Sequence, residues 1–225
     1  VISSIDLIAL AWFFSLWIGY TLFAKKRAKL VSCLSFELRR KRTDWMRKML
    51  SRENNMPDVG LISTLERNVA FFASSCLLIM AGLITAMSSA EQVNAMLTQL
   101  MPWSTSTASG VQLKLLLLTG IYVFAFFQFT WSLRQYGFCG VLVGAAPDGR
   151  DMTDDDKQLY ANRTAKVLDQ ASHSFNYGLR AIYFSLAGLS WFIHPLLLIF
   201  ATVLVVVVLK QREFHSAVLK ALREC

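Results

Sequence analysis

Apolar positions fall in long blocks, and polar, mostly basic, connectors separate them. The blocks cover Ile5–Phe23 (IDLIALAWFFSLWIGYTLF), Asn68–Met87 (NVAFFASSCLLIMAGLITAM), Val111–Leu133 (VQLKLLLLTGIYVFAFFQFTWSL) and Leu179–Leu209. An α-helix needs roughly 20 apolar residues to cross ~30 Å of hydrocarbon, and the first three blocks have that length. The pattern predicts an all-α, polytopic helical membrane protein with four apolar membrane regions. No connector exceeds about 45 residues, small against a soluble domain, so residues 1–225 read as one transmembrane domain. Ile5–Phe23 has no basic leader and no small-residue cleavage site, and so reads as a retained span.

The fourth block is longer than one crossing requires, since its ~30 residues extend ~45 Å as a helix. His194-Pro195 divides it. One solution is a single tilted helix kinked where proline removes a backbone hydrogen bond. The other is a hairpin that turns at His194-Pro195. The tail KQREFHSAVLKALREC is basic, and the positive-inside rule favours a hairpin that returns it to the cytoplasm. At such a turn His194 lies near water. On a single kinked span it would lie at mid-depth, where an ionisable residue suggests a proton path.

The connectors set the expected orientation. Between Ala24 and Asn68 twelve lysines and arginines face five acids, which assigns this loop to the cytoplasm. Within it, at about 32–56, Leu34, Leu38, Trp45, Met49 and Met56 recur by four and seven. They form one stripe of an amphipathic helix, with Arg39, Arg40, Arg42, Arg47 and Lys48 beside or opposite it. Such a helix can rest in the headgroup layer, so these five residues are candidate contacts for anionic lipid. The stripe can equally pack on the protein's own helices. Asp58, after Met56-Pro57, is placed to cap the following helix. Ser88–Gly110 has no lysine or arginine and is expected outside. There Val93, Met96, Leu97 and Leu100 mark a short surface helix, and Pro102-Trp103 an interfacial anchor.

Composition agrees: the chain is 55% hydrophobic and only 17% charged, against about a quarter in soluble domains. The net charge of +8 comes from basic residues flanking apolar blocks, which points to membrane topology rather than nucleic acid. Cys33, Cys76, Cys139 and Cys225 show no C-x-x-C spacing and read as inert thiols.

Candidate chemistry is sparse. Ser74, Ser75, Ala81 and Gly82 are small residues suited to close helix approach. Gln128, deep in the third block, should seek an interhelical hydrogen bond. Ser74, Ser75, Gln128 and His194 are therefore candidates for helix glue or for a polar path. Lys114, near an outer end, is expected to snorkel to the interface, and Asp6 to remain hydrated at the mouth of its span. APDGRDMTDDD lacks the spacing of a calcium loop. Thr153 followed by Asp154, Asp155 and Asp156 reads instead as a helix cap with acids in the first turn, opening a helix towards Tyr177. The Asn162 sequon falls on that cytoplasmic helix and is expected to be inert. Glu66-Arg67 and Arg212-Glu213 are candidate pairs at the inner boundary. No nucleophile–base pair, Walker loop, nucleotide fingerprint or metal-ligand spacing occurs, so neither a cofactor nor a catalytic residue is expected.

Several stretches, LIALAWFFSLWIGYTLF, RRKRTDWMRKML, FFASSCLLIMAG and LKQREFHSAVLKAL, with Arg42, Trp45, Ser74, Ser75, Trp191, Pro195, Arg212, Glu213 and Ser216 as landmarks, resemble a bacterial and plant membrane-protein family. It is catalogued as domain of unknown function five-nine-nine. The resemblance runs nearly end to end and implies about four spans, with no assigned activity. The leading expectation is a non-enzymatic, multi-pass protein of the bacterial inner membrane, an accessory subunit or homo-oligomeric scaffold in contact with membrane lipids. A small oligomeric channel or transporter, and a lipid-acting enzyme at the cytoplasmic face, are the alternatives.

Overall fold

A computed structural model describes residues 3–27, 33–100 and 107–224. Pro102-Trp103 and Cys225 lie outside the described residues. Among the described residues eight α-helices follow in order: α1 Ser4–Arg27, α2 Leu34–Met49, α3 Met56–Ser88, α4 Ala90–Leu100, α5 Ala108–Gly144, α6 Asp154–Leu189, α7 Pro195–Phe214 and α8 Ala217–Glu224. No strand occurs among the described residues. Ser4–Arg27, Met56–Ser88, Ala108–Gly144 and Pro195–Leu222, which holds α7, are long and apolar enough to cross a membrane.

The fourth apolar block is a hairpin. Its first part completes α6, a 3-10 turn occupies Ser190–Phe192, and α7 starts at Pro195. His194 is the N-cap of α7: its Nδ1 accepts a hydrogen bond from the Leu196 amide at 3.1 Å. Pro195 occupies the first turn, where no amide hydrogen is needed. The His-Pro pair therefore starts a helix and does not kink one. Thr153 caps α6 as its sequence indicates, accepting from the Asp156 amide at 3.2 Å.

The long helices have two distinct ends. At one, Asp6 at the start of α1 accepts a hydrogen bond from Trp191 Nε1 at 2.7 Å. Lys114 of α5 lies 5.4 Å from the Trp191 ring centre. At the other, Phe23 meets Phe214, so α1 and α7 run side by side in the same direction. That second end is the basic one. It holds α2, α8, the α5–α6 connection and the described lysines and arginines other than Lys114.

The core centres on α6, which packs against α5, α2 and α7. Its α5 face is a seam of small residues. Gly178 leaves room for the Phe129 ring, which a Cβ there would meet at 2.6 Å, and Gly188 faces Leu118. Ser132 Oγ donates to the Ala171 carbonyl at 2.7 Å, and Ser185 Oγ to the Tyr122 hydroxyl at 3.0 Å. In lipid, close packing and such hydrogen bonds replace the hydrophobic drive. The sequence pattern pointed to Ala81, Gly82 and Ser74 of α3 for this role, but these are exposed on the outer surface. The α6 seam was hidden because it belongs to a helix whose first half is charged.

Three further expectations change. Lys114 does not snorkel; it is buried under the Trp191 and Phe192 rings. Asn55, not Asp58, is the N-cap residue of α3. Asp58 is instead fully buried, accepting from Trp45 Nε1 at 2.6 Å and from Arg52. The stripe of α2 faces the protein: Met46 and Met49 are buried in the core beside Trp45, with Leu34 and Leu38 half-buried. Met56, assigned to that stripe, is 73% exposed at the start of α3.

Candidate functional site

The charged residues that the fold brings together converge on α6. Asp169 is buried, with only 2% of its side chain exposed. Arg39 Nε donates to Asp169 Oδ2 at 2.8 Å, and Arg42 Nη1 to Oδ1 at 2.8 Å. Arg39 and Arg42 are three residues apart, hence neighbours on one face of α2. His173, one turn on from Asp169, places Nε2 3.4 Å from the same carboxylate. Asp169 belongs to the charged first half of α6, outside the apolar spans. Burial pushes its carboxyl up, but hydrogen bonds and charge from His173 and Arg39 outweigh this and hold it below the usual carboxylate range. Tyr136 of α5 reaches the Ser172 hydroxyl at 3.1 Å, joining a third helix to the cluster.

Further along α6, at helical steps of three or four, stand Asn176, Tyr177, Arg180 and Tyr183. The Arg180 guanidinium sits 5.4 Å from the Tyr20 ring centre and 5.7 Å from that of Tyr177. It forms no ion pair among the described residues. Arg212 of α7 donates to the Tyr183 hydroxyl. Its neighbour Glu213 accepts from the Ser35 hydroxyl at 2.6 Å at the start of α2. Arg39, Arg42, Arg180 and Arg212, with Asp169 and Glu213, therefore lie at a junction of α1, α2, α6 and α7 in the basic half of the bundle. Among the described residues neither Glu66-Arg67 nor Arg212-Glu213 forms an ion pair.

Beside this junction runs an apolar groove of about 700 Å³ between α1 and α5. Leu10, Phe14, Trp17 and Ile18 form one wall, Leu113, Leu117, Gly120 and Phe124 the other, and Tyr177 of α6 contributes to the lining. The groove exists because large rings hold α1 away from α6. Trp17 stacks on Phe184 with ring centres 5.2 Å apart, and Phe13 meets Phe184 edge-on at 5.7 Å. A second crevice of about 430 Å³ lies between the α2–α3 and α5–α6 connections. Its cations Arg52, Arg150 and Lys157 are each within ion-pair distance of an aspartate.

The five predicted lipid-contact residues divide. Arg42 turns inward to Asp169, and Arg39 reaches the same carboxylate from an exposed position. Arg40, Arg47 and Lys48 stand exposed on the outer face of α2. The four candidate path residues do not meet. Ser74 is exposed on α3, and Ser75 bonds back to the Phe71 carbonyl at 2.8 Å. Gln128 is half-buried on α5 and makes no hydrogen bond among the described residues. His194 is exposed at the opposite end from α2. The interhelical amide contact expected of Gln128 is supplied by Gln135, whose Oε1 accepts from Ser174 at 3.3 Å. Among the described residues no group of three or more His, Cys, Asp or Glu side chains could hold a metal ion. Cys33, Cys76 and Cys139 are buried free thiols. Burial raises the pKa of Cys33, at the head of α2, above the ordinary thiol value.

Sequence reasoning missed Asp169 and Arg180. The one signal for them is the spacing Asp169, His173, Asn176, Arg180: a polar stripe that continues from the charged half of a helix into its apolar half.

A helical bundle with these apolar outer faces and a basic end is a polytopic α-helical membrane protein. Residues 8–218 match the family described as "Protein of unknown function, DUF599", and the chain belongs to that family. No curated protein and no solved structure matches the chain.

Proposed function

We propose that the chain is a non-enzymatic protein of the bacterial cytoplasmic membrane that works by assembly, as an accessory subunit or homo-oligomeric scaffold. The observation that carries this is the outer face of α3. Only 17% of its apolar window is buried, and that face combines bulky Phe71, Leu78 and Ile84 with outward Ser74, Ala81 and Gly82. Small residues on an outward face let another transmembrane helix approach closely, where dispersion and weak hydrogen bonds hold it. A Cβ added at Gly82 meets nothing within 4 Å of the chain's own atoms, so packing within the chain does not require a glycine there. In this reading the basic end faces the cytoplasm. Arg40, Arg47 and Lys48 then rest on the anionic leaflet, each adding about 1 kcal/mol of attraction.

The test is extraction in mild detergent followed by native mass spectrometry and light scattering. An oligomer or a stable heteromer is expected, and Gly82→Leu should dissociate it while leaving the thermal midpoint of the chain intact. A lone monomer that brings no partner defeats the reading. A cytoplasmic lipid-acting site built from Arg39, Arg42 and Asp154–Asp156 is disfavoured by geometry. The arginines bind Asp169, and 13–15 residues of helix, about 20 Å, separate it from those acids.

A further inference from the structure

The geometry points to the α1–α5 groove as a binding site for one anionic phospholipid of the leaflet at the basic end, its acyl chain along the groove and its phosphate on Arg180. The inference is independent of assembly through α3, which lies on the other side of α5.

Length is the first argument. The α1 wall runs from Leu10 to Leu22, twelve residue steps, or about 18 Å at 1.5 Å per step. Half of a ~30 Å hydrocarbon core is ~15 Å, so the groove holds one extended chain from a single leaflet. Its lining is almost wholly aliphatic and aromatic. The few polar atoms at its basic end are selective about what they can donate. Thr21 spends its hydroxyl proton on the Trp17 carbonyl at 2.8 Å. The Tyr177 hydroxyl makes no such bond among the described residues, and the Arg180 guanidinium is 5.7 Å from the Tyr177 ring centre.

Charge is the second argument. An arginine where a helix passes into its apolar half is costly and marks a candidate site. Asp169 is committed to Arg39 and Arg42, and Glu213, which accepts from Ser35, forms no ion pair with Arg180 among the described residues. Arg180 is held by two tyrosine rings, and cation–π contact leaves the edge of the guanidinium able to donate to a phosphate as a planar fork. Lys25, Lys26 and Arg27 close α1 about one turn beyond the groove and extend the positive field around the headgroup.

The experiment is native mass spectrometry of the intact chain in detergent, titrated with phosphatidylglycerol and with phosphatidylcholine of the same acyl chains. One phosphatidylglycerol is expected to stay bound, at least tenfold tighter than phosphatidylcholine. Arg180→Gln should abolish that preference. Gly120→Leu places a side chain on the groove wall at a position where a Cβ meets nothing within 4 Å. It should weaken both lipids about tenfold while leaving the thermal midpoint unchanged. Arg40→Gln with Arg47→Gln should leave the single adduct intact, which separates this site from surface attraction along α2. Equal retention of the two lipids by wild type, a preference that survives Arg180→Gln, or a groove that Gly120→Leu shows to be filled by a second protein chain overturns the proposal.

Discussion

Asp169 offers the sharpest quantitative test of how the basic end is built. Asp169→Asn keeps the side-chain volume and removes the charge that ties α2 to α6. The two arginines it releases are unequal: Arg39 is 61% exposed and Arg42 only 19%. Arg39 can swing into water, so its arm resembles a surface pair, about 1 kcal/mol or less. Arg42 is left half-enclosed, and a hydrogen bond to a charged partner in that setting contributes about 2–3 kcal/mol. The sum is about 3 kcal/mol, at the low end for breaking a buried pair from one side. For a chain of this size each kcal/mol moves the midpoint by about 2–4 °C, so Asp169→Asn should melt about 6–12 °C below wild type in mild detergent. Arg42→Gln should lose most of that and Arg39→Gln little. Because the folded-state carboxyl lies below its ordinary value, the stabilisation is complete above about pH 4. It disappears as pH falls through the depressed folded value. The gap between wild type and Asp169→Asn should therefore close only on acidification below that point. A midpoint for Asp169→Asn within about 2 °C of wild type, or Arg39→Gln costing as much as Arg42→Gln, would refute the assignment of the clamp to Asp169 and Arg42.

Three other outcomes follow from named contacts. Gly178→Ala drives a methyl into the Phe129 ring at 2.6–2.9 Å and should cost about 1–3 kcal/mol; Gly82→Ala, with open space around it, should cost nothing, and equal melting of the two would count against the α5–α6 seam. His194→Ala removes the acceptor for the Leu196 amide and should cost about 1 kcal/mol, largely recovered in His194→Asn; hydrogen exchange at Leu196 reads the effect directly. Trp191→Phe strips Asp6 of its indole donor and should cost about 1–2 kcal/mol, and a double-mutant cycle with Asp6→Asn that shows no coupling would remove the hydrogen bond as an explanation.

The sequence carried the helices better than it carried their inward faces. Block lengths located α1, α3 and α5 because a membrane imposes one dimension on every crossing. The boundaries ran short wherever polar residues continued a helix beyond the lipid, as in the first turns of α3 and the last turns of α5. The hairpin at His194-Pro195 was legible from charge, whereas the His194 cap on α7 emerged only from the structure. What the sequence could not show was which small or charged residues meet. Arg39 and Arg42 are separated from Asp169 by more than a hundred residues, and only the packing of α2 on α6 joins them. Nor could periodicity alone tell a lipid-facing small residue, such as Gly82, from a buried one, such as Gly178. Both sit among apolar neighbours, and only the partner helix distinguishes them.

The two faces of α6 explain why the same bundle is tight on one side and open on the other. Towards α5, glycine, alanine and serine bring backbones close and lock them with short hydrogen bonds such as Ser132 to Ala171. Towards α1, Phe184 meets Phe13 and Trp17, so that contact is made through ring edges and faces rather than backbones. α1 is then fixed mainly where chemistry changes along the bundle: Asp6 to Trp191 at one end, Tyr20 against Arg180 and Phe23 against Phe214 towards the other. Between these points no described helix fills the width that the rings create; only the edge-on contact of Trp17 with Phe124 reaches across it, and the groove is the geometric consequence. A uniformly small-residue α6 would close that space, and a uniformly aromatic one would lose the close seam with α5. The cavity is thus encoded by the asymmetry of a single helix, and the proposed headgroup contact by the arginine that the same helix holds against Tyr177 of the lining.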